Sequence, residues 1–360
     1  MDHGGQLHTF ERASKTTASA SFPRKLSASG LYDAMQRPHP ALIPYVVNSP
    51  FWSDGSDKER FILLPEGERI GFNEKGHWKF PENTLLVKTF SIDTPTGRRK
   101  IETRLMSLQQ GEWAGYSYVW NDDQTDAVLI EAAGRDMTYR QVEGGKEREL
   151  KWHYPSRVEC MVCHTRAANY VLGINTAQLN RDGQLGRLSA RGVLKLSTAD
   201  HLATLREWFE PLSKVLPKAV TEPFTKIRAK GETSALARLE EHYPRLADPT
   251  DVKASAEARA RSYLHSNCAF CHVWAGGGNA AIDLHIDTPR EKWKLIDVPP
   301  IHEKFGIADA KLIAPGEPDR SVLYARLAQR GRGQMPPLSS HRVDEAGLKV
   351  IEEWIRSVKP

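Results

Sequence analysis

The sequence predicts an α+β multidomain chain: an N-terminal all-β domain of sandwich or jelly-roll-like type, a helical segment after it, and an all-α C-terminal domain. Three observations lead there. From residue 23 to residue 154, apolar side chains recur at every second position in short runs, separated by Gly, Pro, Asn and Asp. From 155 to 250 the apolar spacing changes to three and four, the period of a helix. From 251 to 360 a helical stretch leads into a Gly-rich loop, and the chain closes on an amphipathic helix. A length of 360 residues suits two or three cores better than one.

Residues 1–22 are rich in Ser, Thr, Ala and Gly without periodicity and read as a flexible leader. In the β-rich part, Phe61-Ile62-Leu63-Leu64 ends at Pro65, and the run Leu85 to Phe90 lies between Pro81 and Pro95. Ile101 to Leu108 alternates, with Ile101, Thr103 and Leu105 opposite Glu102, Arg104 and Met106. Tyr116, Tyr118 and Trp120 share one face, and Asn121-Asp122-Asp123 supplies the next turn. Later runs at Ala127–Ala132, Met137–Val142 and Leu150–Tyr154 complete about seven or eight strands. With Trp113 and Trp152, the three aromatics read as the core of this domain rather than as an electron relay, since period-two aromatics are what a β core uses. In the next segment Leu202, Leu205, Phe209 and Leu212 form a helical stripe behind Ser197 and Thr198. A second stripe is Leu236, Leu239 and Tyr243, and Pro211 to Lys230 connects the two. In the last part Ala254 to His265 is helical. Leu348, Ile351, Trp354, Ile355 and Val358 form the buried face of the closing helix, with Asp344 as its N-cap.

The totals exclude several classes. A hydrophobic content of 40% with 26% charged residues is that of an ordinary globular chain. No run approaches the 18 or so apolar residues of a membrane helix. A net charge of +5 is too modest to argue for nucleic acid as a partner. Neither a phosphate-binding loop nor a Ser-His-Asp arrangement is legible. The acids Asp54, Asp57 and Glu59 beside Trp52 suggest a cation site but lack the spacing of a calcium loop.

One pentapeptide pattern occurs twice and uses all four cysteines: Cys160-Met161-Val162-Cys163-His164 and Cys268-Ala269-Phe270-Cys271-His272. C-x-x-C-H is the pattern of covalent c-type haem attachment, in which two thiols bond the porphyrin edge and the adjacent imidazole reaches the iron. The cofactors predicted are therefore two covalent haem c groups. Cys160, Cys163, Cys268 and Cys271 attach them, and His164 and His272 are the proximal ligands of haem 1 and haem 2. A lone motif of this kind also fits a redox dithiol or part of a zinc site. The second copy is followed by Gly276-Gly277-Gly278 and then by Gly331-Arg332-Gly333-Gln334-Met335-Pro336-Pro337, which favours haem. A thioether is a poor donor to most ions but suits low-spin haem iron and raises its potential, so Met335 is the predicted distal ligand of haem 2. Were Met335 only a core residue, His285 or His302 would be its replacements. The propionates of two haems would bring the whole molecule close to neutral.

Haem 1 has no such distal partner in the sequence. No methionine lies between His164 and Cys268. The histidines in that interval are His201, His242 and His265, the first two on polar or mixed faces. Upstream stand Lys88, Met106, Met137 and His153. Lys88 shares a strand face with Leu86 and Phe90, an unusual place for an amine without a specific partner, while Met106 shares its face with Glu102 and Arg104. The distal ligand of haem 1 stays open among these, as does a five-coordinate or water-ligated iron.

Several stretches together resemble the bacterial dihaem c-type cytochromes. They are Phe22-Pro23-Arg24-Lys25-Leu26-Ser27, Trp52-Ser53-Asp54-Gly55, Ile101-Glu102-Thr103-Arg104-Leu105, Gly115-Tyr116-Ser117-Tyr118-Val119-Trp120-Asn121 and the first C-x-x-C-H. The C-terminal third, through Cys268, Cys271, His272 and Met335, is similar to a class I cytochrome c domain. Some members of the dihaem group are fused to, or encoded beside, quinoprotein sugar dehydrogenases. The resemblance implies a periplasmic or otherwise exported protein. It also implies single-electron transfer from a dehydrogenase, a quinoprotein among the options, to a cytochrome or oxidase acceptor. Met1 to Ser21 hold no apolar signal-like stretch, so the chain reads as a mature form or a piece of a longer exported polypeptide. The competing functions are a dihaem peroxidase-like oxidoreductase with an open haem 1, and a β-domain acting as a binding module for carbohydrate or protein.

Overall fold

The computed structural model describes residues 22–197, 210, 214, 231–338 and 340–359. In chain order its strands are β1 (Ile43–Pro44), β2 (Asp57–Leu63), β3 (Ile70–Gly71), β4 (Leu85–Thr94), β5 (Gly97–Gln109), β6 (Glu112–Trp120), β7 (Ala127–Leu129), β8 (Arg135–Glu143), β9 (Lys146–Tyr154), β10 (Leu194–Ser197) and β11 (Glu232–Thr233). The helices are α1 (Arg157–Cys163), α2 (Thr176–Leu179), α3 (Gln184–Ala190), α4 (Ala256–Asn267), α5 (Val322–Ala328) and α6 (Glu345–Ser357).

A six-stranded antiparallel sheet in the order β1-β2-β4-β5-β6-β7 is the frame. Turn chemistry fixes its register. Between β5 and β6, Gln110 and Gly111 both take positive φ (55° and 75°), the mirror-image turn whose twist suits a hairpin. The Glu82 carboxylate accepts from both of their amides. Gly144 and Gly145 turn β8 into β9 in the same way. β5 is covered on both faces: Leu105 packs with Val87, Tyr118 and Trp120, and Met106 and Leu108 pack with Ile62, Trp113 and Val171 on the other side. Its alternation in the sequence therefore separates two buried faces rather than core from water.

The expected fold class does not form. The β-rich part is one open meander with the β8–β9 hairpin laid on it through Phe90, Val119, Leu150 and Trp152, instead of a sandwich or jelly roll. A small three-stranded sheet, β11-β10-β3, includes a parallel pair. The described structure is mostly β, and no all-α C-terminal domain of the class I cytochrome c kind is evident. Helices α4, α5 and α6 have 12, 7 and 13 residues. The long connection from 268 to 321 has only short 3-10 turns and isolated bridges, Ile296 with Ile313 and Lys311 with Ser321. Pro289, Pro299, Pro300, Pro315 and Pro318 stand in that connection, and each removes a backbone donor and excludes a helix interior.

The middle segment departs from expectation as well. Leu236, Leu239 and Tyr243 are not on an α-helix: Glu240–His242 is a single 3-10 turn, Tyr243 is extended, and Leu239 is 63% exposed. Pro244 disfavours the helical conformation at the residue before it. The expected stripe Leu202 to Leu212 with Thr198, the connection Pro211 to Lys230 apart from Lys214, His201 and residues 1–21 lie outside the described residues. Ser197, expected as a cap, ends β10.

Polar contacts tie the last third to the sheet. Asp54, 2% exposed, accepts from the backbone amides of His341 at 3.0 Å and Arg342 at 2.9 Å. Arg342 reaches Gln141 (2.8 Å) and pairs with Glu143. Ser49 donates to the Ser262 carbonyl, and the Trp52 amide to Asn267. This corrects the cation-site reading of Asp54, Asp57 and Glu59, because the buried carboxylate is committed to amides of a distant loop. Within the last third, Gly347 lets α6 approach α4: a Cβ there would stand 2.2 Å from the Tyr263 ring. Asp344 caps α6 by accepting from the Gly347 amide.

Candidate cofactor site

The first C-x-x-C-H begins on helix α1. Ser156 and Glu159 form a reciprocal capping box there: Ser156 Oγ accepts the Glu159 amide and Glu159 accepts the Ser156 amide. The helix lies on β6, where Gly115 makes the approach feasible. A Cβ at 115 would come 2.8 Å from Cys160 Sγ and 3.4 Å from Met106 Sδ.

His164 ends this helix. Its Nδ1 faces the Tyr170 carbonyl, which can only accept, so Nδ1 carries the proton and Nε2 keeps a lone pair. The carbonyl is aimed by a tight loop in which Asn169 and Tyr170 both take positive φ (52° and 60°), a strained conformation for residues with side chains. Burial, and then the charge of Lys88, push the imidazole pKa down to about 4, so the ring is neutral at ordinary pH. A neutral imidazole with an oriented free nitrogen is what an iron ligand requires.

The second motif is built differently. Cys268 closes α4, and the rest of the motif follows as turns. The Gly-rich loop wraps the ring: a Cβ on Gly278 would stand 2.4 Å from His272 Nδ1, and one on Gly276 2.2 Å from the Cys271 carbonyl. His272 Nδ1 is buried, near the Ala280 carbonyl but outside hydrogen-bond geometry. The Met335 amide donates to the Arg326 carbonyl, and Arg326 is close enough for its charge to lower the His272 pKa after burial has done so. Gln334 braces this loop by donating to the carbonyls of Pro336 and Ser340. His302 stays at the surface near Asn279, and His285 packs with His265 instead of with His272.

The two motifs meet. Cys271 Sγ lies 3.8 Å from the Val162 carbonyl across 109 positions of chain, and Cys271 contributes to raising the Cys163 thiol pKa. One cleft runs between them, open to solvent at its mouth. Cys160, Cys163 and His164 line one side and Ala269, Phe270 and Val273 another, with Leu86, Lys88, Phe90, Arg104 and Met106 of the sheet across from them. The sheet contributes an unexpected charge pattern there. Register places Arg60 opposite Lys88 and Lys88 opposite Arg104. Like charges so placed repel, and burial with the neighbouring arginines pushes the Lys88 pKa down to about 7. Only Arg104 has an acid, a two-pronged pair with the fully buried Glu102.

Among the other ligand candidates, Met137 accepts from the Tyr139 hydroxyl, and His153 is held between Asp136 and Glu159. His242 sits on the 3-10 turn. His77, His265 and His285 stack edge to face at one end of the cleft, with centroids 5.7 and 4.8 Å apart.

Comparison with protein-family models, curated proteins and solved structures gives no match for this chain. The cofactor reading therefore rests on whether these residues fit the group. The thiols are unpaired, and burial pushes Cys163 and Cys268 up to about 12, far from the low values of reactive or redox dithiols. Among the described residues no group of three or more His, Cys, Asp or Glu side chains is arranged to hold a bare metal ion, which disfavours the zinc alternative. Paired thiols, an oriented imidazole beside them and a largely apolar cleft fit a haem. The sequence could not show Gly115, the Tyr170 carbonyl or the contact between motifs. Arg60, Lys88 and Arg104 did leave a signal, as cations inside alternating strands.

Proposed function

We propose that the chain is a dihaem c-type cytochrome that carries single electrons, in the manner of the bacterial group it resembles. The observation that supports this most is the contact between the motifs, with Cys271 Sγ 3.8 Å from the Val162 carbonyl. Two attachment sites so close form one electron path rather than two separate functions. A bound c-type haem supplies one-electron iron chemistry. The protein's own residues do the rest. Cys160 and Cys163, and Cys268 and Cys271, fix the two groups. The Tyr170 carbonyl orients His164, and Gly276 and Gly278 shape the pocket of His272. Met335 is the distal ligand proposed for the second site. Phe90, Leu86, Val171 and Phe270 give the cleft between the motifs apolar walls.

Attachment to C-x-x-C-H takes place outside the cytoplasm, so the chain is an exported, periplasmic protein in this reading. Its partners are redox proteins: a dehydrogenase as donor, a quinoprotein among the candidates, and a cytochrome or oxidase as acceptor. No helix among the described residues is long and apolar enough to cross a membrane. Export of the chain in a host with the haem-attachment machinery tests the proposal. Two covalent haems per chain, reduced and reoxidised in one-electron steps, are expected. Four alkylatable thiols in the exported protein would defeat it, and peroxide turnover would favour an enzyme instead.

A further inference from the structure

We propose that the amine of Lys88 is the sixth ligand of the iron at the first site, opposite His164, an inference that rests on the dihaem reading above. The side chains at the cleft able to coordinate iron are Tyr45, His77, Lys88, Met106, His265 and His285, with Glu159 already held by the Ser156 amide and His153. Met106 places its sulfur beside Gly115, where Cys160 Sγ also lies, so it belongs to the attachment edge rather than to the centre of the site. The three histidines are gathered against one another, and His265 is further engaged by the Ile286 amide at Nδ1 and by Asn175 near Nε2. Tyr45 lies just after the edge strand β1, its amide donating to the Arg60 carbonyl, with β2 and β4 between it and β5.

Lys88 is placed differently. It stands in the middle of the sheet on the face lining the cleft, one cross-strand row from the Leu86–Met106–Gly115 row on which Cys160 rests. Two residues along a strand span about 6.8 Å, so the amine projects from beside the attachment edge toward the body of the cleft. Its neighbours across the strands are Arg60 and Arg104, guanidinium groups that stay protonated and do not coordinate. Among the described residues Lys88 has neither an ion-pair nor a hydrogen-bond partner; its amine lies over the Phe90 ring, 5.9 Å from the centroid. An amine with neither a hydrogen bond nor an ion pair, in the cleft that also holds His164, has a lone pair to give once it is deprotonated.

The test uses the exported holoprotein, with covalent haem counted first. Electron paramagnetic resonance and near-infrared spectra are then compared for the wild type, Lys88→Ala, Lys88→Arg and Lys88→Met. The wild type is expected to hold two low-spin haems. Lys88→Ala and Lys88→Arg should each turn one haem high-spin and make one haem per chain bind carbon monoxide. Lys88→Arg keeps the charge, so this result separates ligation from a purely electrostatic role. Lys88→Met should raise the thioether-to-iron charge-transfer band about twofold, adding a second methionine-ligated haem. Persistence of that band from the second haem in every variant reports an intact fold. Two low-spin haems in both Lys88→Ala and Lys88→Arg would overturn the assignment. So would a wild-type first haem that is already high-spin. A wild type without haem on Cys160 and Cys163 overturns the dihaem reading along with it.

Discussion

The two C-x-x-C-H motifs share five positions and little else. The first is rigid from its N-terminal side: a capping box starts α1, a six-stranded sheet supports it, and a loop with two positive-φ residues aims a carbonyl at His164. The second is shaped from its C-terminal side by glycines that fold back on His272 and by a later loop carrying Met335. The difference teaches how one local chemistry is completed by two scaffolds. At the second site the completing residues come from loops of the same third of the chain. At the first they come from strands far upstream: Gly115 lies under Cys160, and Lys88 lines the cleft across from His164's motif.

Predictions can break or sharpen that contrast. The largest effect concerns attachment. Replacing Cys160 and Cys163 by Ser should remove about half of the covalent haem and leave the second site's spectrum intact, and the Cys268/Cys271 pair should do the converse. Mass spectrometry decides, and loss of both haems from either double variant would show that the sites are not independent. Next, Met335→Ala should abolish the thioether charge-transfer band and lower the potential of the second haem alone. A band that survives means that Met335 is not the ligand.

Smaller effects probe packing. Gly115→Ala puts a methyl 2.8 Å from Cys160 Sγ and should cost about 1–3 kcal/mol by denaturant unfolding, with haem loss confined to the first site. Gly278→Ala, aimed at 2.4 Å from His272 Nδ1, should confine its loss to the second. Equal losses at both sites in either variant would erase the contrast. The smallest effect is electrostatic. Burial, followed by Arg60, pushes the Lys58 pKa down to about 7 from a model-compound value of 10.5. Between those values the unfolded chain holds more protons than the folded one, so Lys58 makes stability rise with pH across that window. Lys58→Met should flatten the rise and stabilise the protein at pH 7 by on the order of 1 kcal/mol, since water still reaches part of the side chain. Thermal unfolding from pH 7 to 10 measures it.

Part of the fold was legible because its signals are local. Short apolar runs located β2 and β4, alternation located β5 and β6, and an apolar stripe behind Asp344 located α6. The same patterns misled where packing overrode them. Leu236, Leu239 and Tyr243 have helical spacing, but Pro244 and the demands of the core leave them on an irregular path. The all-α reading of the last third failed because the proline-interrupted connection from 268 to 321 forms only short 3-10 turns and isolated bridges. Asp54 looked like an acid awaiting a cation, because nothing in the sequence reveals that the amides of His341 and Arg342 reach it.

By itself the sequence carried the expectation of haem attachment: which thiols and imidazoles stand together in each motif, and which methionine loop follows the second. Covalent geometry over five residues is short-range, so no fold is needed to read it. The tertiary structure alone decided that Val162 and Cys271 touch, that Gly115 lies under Cys160, and that an amine from β4 faces His164's cleft. Those facts depend on strand register and on how a helix lies across a sheet. Register is set by the summed burial of many side chains, and no five residues encode it.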